Sequence, residues 1–140
     1  MKAVIIYWSG TGNTEAMAYF IAEGAKSSGS EVEIKAVSSA AVEDVSNNDV
    51  IILGCPSMGA EVLEESEFEP YMTSIENEIS GKKIALFGSY GWGDGEWMRD
   101  WAGRIKNAGG ILAAESLIVN ETPNSDDEEN CKEFGKQVTS

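Results

Sequence analysis

Three short apolar runs constrain the fold of this 140-residue chain more than any other feature. Residues 3–8, 50–54 and 84–88 are apolar without alternation, and each run ends at or next to a glycine or serine. Continuous apolar runs of this length are typical of strands that are buried on both faces, as in a parallel sheet covered by helices. The runs therefore predict the central strands of an α/β protein.

Two further segments predict strands with weaker patterns. Residues 31–37 alternate between apolar and charged side chains, so that Val32 faces inward and Lys35 faces outward, as in an edge strand. Residues 110–119 predict a last strand, and the polar residues 115–116 are expected to interrupt it.

Apolar residues at helical spacing predict four helices. The four apolar stripes are Met17, Phe20, Ile21, Gly24 and Ala25; Phe68, Met72, Ile75 and Ile79; Trp97, Trp101, Ile105 and Ala108; and Cys131, Phe134, Gly135 and Val138. Gly29 is expected to end the first helix, and Ser66 with Glu69 has the spacing of a capping box for the second. Pro70 fits the first turn of that helix, and the acidic residues 126–129 suit the start of the last one.

The predicted order is β-α-β-β-α-β-α-β-α, with the helix after the second strand shortened or lost between residues 38 and 47. Strands that alternate with helices form an open, doubly wound sheet, here a single domain of five parallel strands. Ligands of such sheets bind beyond the carboxyl ends of the strands. The loops to consider are therefore residues 9–14, 55–66 and 89–96.

Composition excludes several classes of function. Lysine and arginine number 10 against 24 aspartate and glutamate residues, a formal net charge of -14, which argues against nucleic acid and anionic membranes and favours basic partners. The absence of histidine excludes Ser-His-Asp and Cys-His catalysis and most zinc sites. Because Cys55 and Cys131 form no CxxC pair, and no long apolar or signal-like segment is present, we expect a cytoplasmic protein with free thiols.

The first loop, SGTGNT, follows a strand and opens a helix, as phosphate-binding loops do. Gly10 and Gly12 permit close backbone approach. Neutral side-chain donors are offered by Ser9, Thr11, Asn13 and Thr14. The loop lacks the lysine of a Walker A motif, and Glu15 stands where a dinucleotide fingerprint requires its third glycine. An ordinary glycine-rich turn with a helix cap remains the alternative.

The third loop, SYGWGDGEW, alternates three glycines with Tyr90, Trp92 and Asp94. An exposed tryptophan on a flexible loop is favourable where it covers a flat aromatic ligand, so Trp92 is a candidate stacking residue. The alternative is that Trp92 closes the core, which is the interpretation we favour for Trp97 and Trp101 because of their helical spacing.

The second loop excludes two other classes of protein that share this fold. A receiver domain needs a phospho-accepting aspartate at the end of the third strand, where this chain has Gly54, Cys55 and Pro56. A low-molecular-weight tyrosine phosphatase needs an arginine six residues after its cysteine, and position 61 is Glu61.

The segments YWSGTGNTEAM, LGCPSMG, EVLEESEFEP and LFGSYGWGDGEWMRDW together resemble the flavodoxins, specifically the short-chain clostridial type. The resemblance covers the whole chain and implies one FMN-binding domain over residues 1–140, with strand order 2-1-3-4-5 and FMN at the carboxyl edge. It also implies a carrier of single electrons between redox enzymes, in place of ferredoxin, rather than an enzyme with a substrate or a metal.

The resemblance further implies roles for individual residues. FMN phosphate would be cradled by Ser9, Gly10, Thr11, Gly12, Asn13 and Thr14, with further contacts from Ser89 or Tyr90. The flavin ring would lie between Trp92 and Met58, with Gly59 beside its N5 atom and Glu61 accepting from its N3–H group. The remaining wall would come from Pro56, Ser57, Ala60, Gly91, Gly93 and Asp94. Two residues depart from some relatives, since Pro56 replaces a serine and Ala60 an aspartate.

We expect the cofactor to cycle mainly between the neutral semiquinone and the anionic hydroquinone, at low potential. A turn of the peptide around Gly59 would stabilise the neutral semiquinone, because glycine tolerates two backbone conformations. Residues 36–81 contain ten acidic residues and no lysine or arginine, and their charge would disfavour the extra negative charge of the hydroquinone. We also expect a monomer whose acidic rim docks on basic faces of ferredoxin-type partners.

Three alternatives remain open on sequence grounds. One is an NAD(P)H:quinone oxidoreductase of the same fold, although the chain has no spare segment for a second substrate pocket. Another is a flavodoxin-like activator of a metalloenzyme, and the third is a binding module without flavin.

Overall fold

The computed structural model describes all 140 residues as one parallel sheet between two layers of helices. The strands are β1 (Lys2–Tyr7), β2 (Glu31–Ala36), β3 (Val50–Gly54), β4 (Lys83–Tyr90), β5 (Ile111–Leu112) and β6 (Leu117–Asn120). The helices are α1 (Asn13–Ser27), α2 (Glu43–Ser46), α3 (Phe68–Ile75), α4 (Glu96–Asn107) and α5 (Ser125–Val138), and a short 3₁₀ turn spans Val37–Ser39. The strand order β2-β1-β3-β4-β5 confirms the predicted fold.

The sixth strand exists because the predicted last strand is interrupted. β5 pairs with the start of β4, where Lys83 lies opposite Ile111, and β6 pairs with the end of β4, where Phe87 lies opposite Leu117. The interruption is confirmed, and it is wider than the two polar residues suggested, since residues 113–116 all lie outside the two strands.

The central strands are buried on both faces, which explains their lack of alternation. On one face, Val4, Ile51 and Leu53 pack with the apolar sides of α3 and α4. On the other face, Ile5 and Ile52 pack with α1 and α5. The continuous apolar runs are therefore confirmed as central strands of a three-layer core.

The region after β2 confirms the expected loss of a long helix, since only the 3₁₀ turn and the four-residue α2 remain. Lys35 is half-buried rather than free in solvent, because its Nζ atom donates to Asp44 Oδ1 of α2 at 2.8 Å. The sequence pattern of β2 could not show this contact, since the partner lies in another element.

The predicted capping box of α3 is wrong. No side chain caps this helix from the Ser66–Glu69 spacing; instead the buried Glu64 carboxylate accepts from the backbone amides of Ser66 and Glu67 at 2.8 Å and of Phe68 at 3.0 Å. Pro70 is the third residue of α3, as expected for the first turn.

Helices α1 and α5 cross with their backbones in contact. A Cβ atom at Gly24 would lie 1.9 Å from the Lys132 carbonyl oxygen, and one at Gly135 would lie 2.1 Å from that of Ile21. Each of these two glycines therefore leaves the space that the backbone of the other helix occupies.

The structure contains no helix with the length and apolar composition of a membrane span.

Candidate functional site

A cleft of about 470 Å³ lies at the carboxyl edge of the sheet, where a doubly wound fold is expected to bind its ligand. It is lined by Trp8, Ser9, Gly10, Thr11, Asn13, Thr14, Pro56, Ser57, Met58, Ser89, Tyr90, Gly91, Glu121 and Thr122. Eleven of these were predicted to bind a cofactor. The other predicted residues, Gly12, Gly59, Ala60, Glu61, Trp92, Gly93 and Asp94, belong to the same three loops but do not line this cleft.

The first loop is held in shape by its own side chains. The Ser9 hydroxyl accepts from the amides of Gly12 at 3.1 Å and Glu15 at 3.2 Å, and Gly12 adopts a φ of 96° that favours glycine. Gly10 lies against the Trp8 ring, where a Cβ atom would come within 3.0 Å. The loop is therefore both a helix-capping turn and one wall of a cleft.

The start of α1 is tied to the end of β4. The Ser89 amide donates to the buried Thr14 hydroxyl at 3.4 Å. β4 also extends to Tyr90, so Ser89 and Tyr90 lie on a strand and not in the loop that the sequence suggested. Their position on a strand fixes this wall of the cleft more rigidly than a loop would.

The second loop forms a small hairpin. Met58 and Val62 pair by two backbone hydrogen bonds of 3.0 and 3.3 Å, which leaves Gly59 and Ala60 exposed at its tip. Glu61, rather than Gly59, has the left-handed backbone, with a φ of 53°. A Cβ atom added at Gly59 would meet no other atom within 4 Å, so there is open space on that side of the hairpin tip.

Glu61 joins the second loop to the third. Its carboxylate lies against Gly93, where a Cβ atom would come within 2.5 Å of Oε1. The Glu61 Oε1 atom is buried and has no hydrogen-bond partner. A buried carboxylate oxygen without a donor is costly, so it favours a bound molecule that supplies one.

The third loop presents Trp92 to solvent, with 63% of its surface exposed, so Trp92 does not close the core. Trp97 and Trp101 do, as predicted, and the Trp97 Nε1 atom donates to the Cys55 carbonyl at 3.1 Å. Asp94 is bonded to Arg99 at 2.9 Å, and this hydrogen bond holds the pKa of its carboxyl below the usual range.

Three lining residues were missed by the sequence analysis: Trp8, Glu121 and Thr122. Glu121 and Thr122 follow β6, so they too lie beyond the carboxyl end of a strand. The rule that selected the other three loops applies equally to this fourth loop and would have found it. Trp8 follows β1 directly, and only the distance to Gly10 shows that its ring lies beside the first loop.

Positive charge is absent from the cleft lining, whose only charged member is Glu121. The negative charge of segment 36–81 is partly compensated by residues outside it, because Arg104 pairs with Glu69 and Glu76, and Lys35 pairs with Asp44.

Cys55 is buried, and burial raises the pKa of its thiol to about 12, so this thiol is not a nucleophile at neutral pH.

A doubly wound sheet with a cation-free cleft lined by a glycine-rich loop and the start of a hairpin, and with an exposed tryptophan on the adjoining loop, is the arrangement of flavin-mononucleotide electron-transfer proteins. The profile of the Flavodoxin family matches residues 5–135. The chain is 53% identical over 134 residues to a flavodoxin of Clostridium beijerinckii, covering 96% of each chain. It is 49% identical over 132 residues to a flavodoxin of Megasphaera elsdenii, covering 94% of each.

The fold agrees with these sequence relationships. The solution structure of two-electron reduced Megasphaera elsdenii flavodoxin superimposes with a TM-score of 0.89 at 46% identity, covering 98% of each chain. A flavodoxin from the Archaea superimposes with a TM-score of 0.91 at 26% identity. The chain belongs to the flavodoxin family, whose members carry electrons on bound FMN.

The residues present fit FMN. The unpartnered Glu61 oxygen would accept an N–H of the flavin ring, and neutral donors with the N-terminus of α1 suit a phosphate that takes no part in chemistry. FMN supplies the redox chemistry, and the protein binds and orients it.

Proposed function

We propose that this protein is a low-potential one-electron carrier that cycles its FMN mainly between the neutral semiquinone and the anionic hydroquinone. The observation that carries the proposal is the buried, unpartnered Glu61 oxygen, which lies against Gly93, the residue after the exposed Trp92. A carboxylate aimed at a flavin ring favours the neutral ring over the anionic one, since like charge repels. The related Megasphaera elsdenii flavodoxin has been solved in a two-electron reduced form.

We assign the phosphate to the first loop and the flavin ring to the second and third. Residues 9–14 donate from backbone amides and from neutral side chains, so they bind the phosphate without a counter-cation. Met58 and Trp92 enclose the ring, and Glu61 accepts from its N3–H group. Pro56, Ser57, Ala60, Ser89, Tyr90, Gly91, Gly93 and Asp94 complete the walls.

The Gly59 peptide is assigned to the N5 side of the ring. Its carbonyl would turn toward N5 when that atom gains a proton, and the exposed hairpin tip leaves room for this movement. One additional hydrogen bond to the reduced ring is worth roughly 0.5–1.5 kcal/mol, and about 1.4 kcal/mol corresponds to about 59 mV for one electron.

We further propose that the protein is a monomeric, single-domain carrier in the cytoplasm. Its partners would be redox enzymes with basic docking faces. The net charge of -14 supports this proposal, because complementary charge steers association. The carrier has no substrate of its own.

Anaerobic stepwise reduction of the purified protein, followed by absorption, tests the proposal. We expect a yellow protein that turns blue and then pale as two electrons enter separately. A single transition from yellow to pale would contradict the one-electron cycle. Rapid bleaching by NAD(P)H alone would indicate an oxidoreductase, and a folded protein without FMN affinity would indicate a binding module.

A further inference from the structure

The loop between β6 and α5 forms a wall of the cleft and is fixed to the sheet. The Glu121 amide donates to the Tyr90 carbonyl at 2.8 Å, and the Asn120 Nδ2 atom donates to the same oxygen at 3.3 Å. Glu121 adopts a left-handed φ of 57°. These contacts hold Thr122 beside the start of α1.

Thr122 contacts a residue of the first loop directly. Its hydroxyl donates to the Asn13 Oδ1 atom at 3.2 Å, and both residues line the cleft. A side-chain amide has an acceptor at one end and two N–H donors at the other, so engaging the oxygen decides where the donors point. The Asn13 Nδ2 atom makes no hydrogen bond within the protein.

We propose that Thr122 is a positioning residue that orients the Asn13 amide so that its N–H donors face the phosphate of the cofactor. This inference rests on the proposed assignment of residues 9–14 to the FMN phosphate. A rotated amide would turn its oxygen toward the phosphate and replace a donor by a repelling acceptor. Because the lining contains no lysine or arginine, each neutral donor contributes appreciably to phosphate affinity.

Riboflavin has the same ring and ribityl chain as FMN but no phosphate, so it separates this role from a general effect on folding. The affinities of both flavins are measured by fluorescence quenching on the full-length protein after its FMN is removed. We expect Thr122→Val to weaken FMN binding about 3- to 10-fold, the effect of one hydrogen bond, and to leave riboflavin affinity within about twofold. Thr122→Ser retains the hydroxyl and is expected to behave as the wild type.

Combining Thr122→Val with Asn13→Ala tests whether Thr122 acts through Asn13. Once the amide is absent, Thr122→Val should change FMN affinity by less than about twofold. An equal loss for FMN and riboflavin, or a full loss in the Asn13→Ala background, would overturn the role of Thr122. A wild-type protein that binds the two flavins equally would overturn the phosphate assignment itself, whereas FMN preference unaffected by Thr122→Val overturns only the further inference.

Discussion

Two single residues show where the backbone is strained, and both lie around the cleft. Glu61 and Glu121 are the non-glycine residues with left-handed backbones, at φ values of 53° and 57°. Such conformations are costly for residues with a Cβ atom and cluster at functional sites. Nothing in the sequence predicts them, because glutamate has no preference for this region. Glycine is the residue expected at left-handed positions, yet Gly59 at the hairpin tip lies outside the left-handed region.

Gly59→Ala tests the proposed peptide movement at the scale of one residue. No atom lies within 4 Å of the position its Cβ would take, so the fold should be unaffected. A Cβ atom disfavours one of two backbone conformations by roughly 1 kcal/mol, so the one-electron-reduced state should lose about 40 mV of stabilisation. Spectroelectrochemical titration measures this change.

Gly91→Ala is the matched control, since it adds a methyl group at another glycine that we assign to the walls around the flavin and that also has open space at the Cβ position. A Gly59→Ala protein with the same separation of its two potentials as Gly91→Ala would rule out the peptide movement.

At the scale of elements, the second loop and α3 are joined by the buried Glu64, which is only 5% exposed. Burial by itself would raise the pKa of Glu64, but hydrogen bonds from the Ser66 hydroxyl and from three amides outweigh it and lower the pKa to about 2. Glu64 is therefore a structural carboxylate and not part of the acidic rim. Its neighbour Glu65 remains exposed.

Glu64→Gln should destabilise the protein in a pH-dependent manner. A carboxylate whose pKa is lowered on folding stabilises the folded state above its unfolded pKa, near 4.5, and this stabilisation is lost as pH falls toward about 2. We expect a loss on the order of 2–3 kcal/mol at pH 7, and a smaller difference from the wild type at pH 3.

Denaturant unfolding at the two pH values measures the effect, with Glu65→Gln as the control for an exposed charge in the same loop. If Glu64→Gln and Glu65→Gln prove equally stable at pH 7, Glu64 does not hold the start of α3.

The crossing of α1 and α5 yields a second prediction at this scale. Gly24→Ala would place a methyl group 1.9 Å from the Lys132 carbonyl oxygen, so the helices must separate. We expect a loss of about 2–4 kcal/mol in the free energy of unfolding. Gly103→Ala lies in α4 with no atom within 4 Å and should instead stabilise by about 0.5–1 kcal/mol. Equal effects of the two substitutions, measured by thermal unfolding, would contradict the close crossing.

At the scale of the whole molecule, charge is distributed unevenly between the cleft and its surroundings. The phosphate end has neutral donors, while Glu61 within the hairpin and Glu65 just after it form no ion pair. Arg104 and Lys35 neutralise acids farther along the segment, so the local field is weaker than the count of ten acidic residues implies.

Glu61→Gln combined with Glu65→Gln should raise the potential of the second reduction. A carboxylate at about 12 Å contributes roughly 0.7 kcal/mol at an effective dielectric of about 40, or about 30 mV. Glu65 should give a shift of this size, and Glu61, which we propose contacts the ring, should give a larger one; both shifts should be smaller at high salt. The control is Glu31→Gln with Glu78→Gln, which removes the same charge at the amino-terminal edge of the sheet. An equal shift in both double variants, or no shift in either, would contradict a local electrostatic origin.

Local patterns in the sequence predict the fold class and the loops that line most of the cleft, and the family resemblance implies the strand order. The apolar runs need burial on both faces, and loops at the carboxyl ends of parallel strands must meet at one edge. Eleven of the lining residues were found in this way.

Contacts between segments that are distant in the chain become visible only in the folded molecule. The pairing of Thr122 with Asn13, the packing of Glu61 on Gly93 and the partners of Arg104 join residues whose sequence neighbours carry no signal of one another. The physical reason is that a side chain's hydrogen-bond partner and burial depend on how whole elements pack, whereas strand and helix patterns depend on residues a few positions apart.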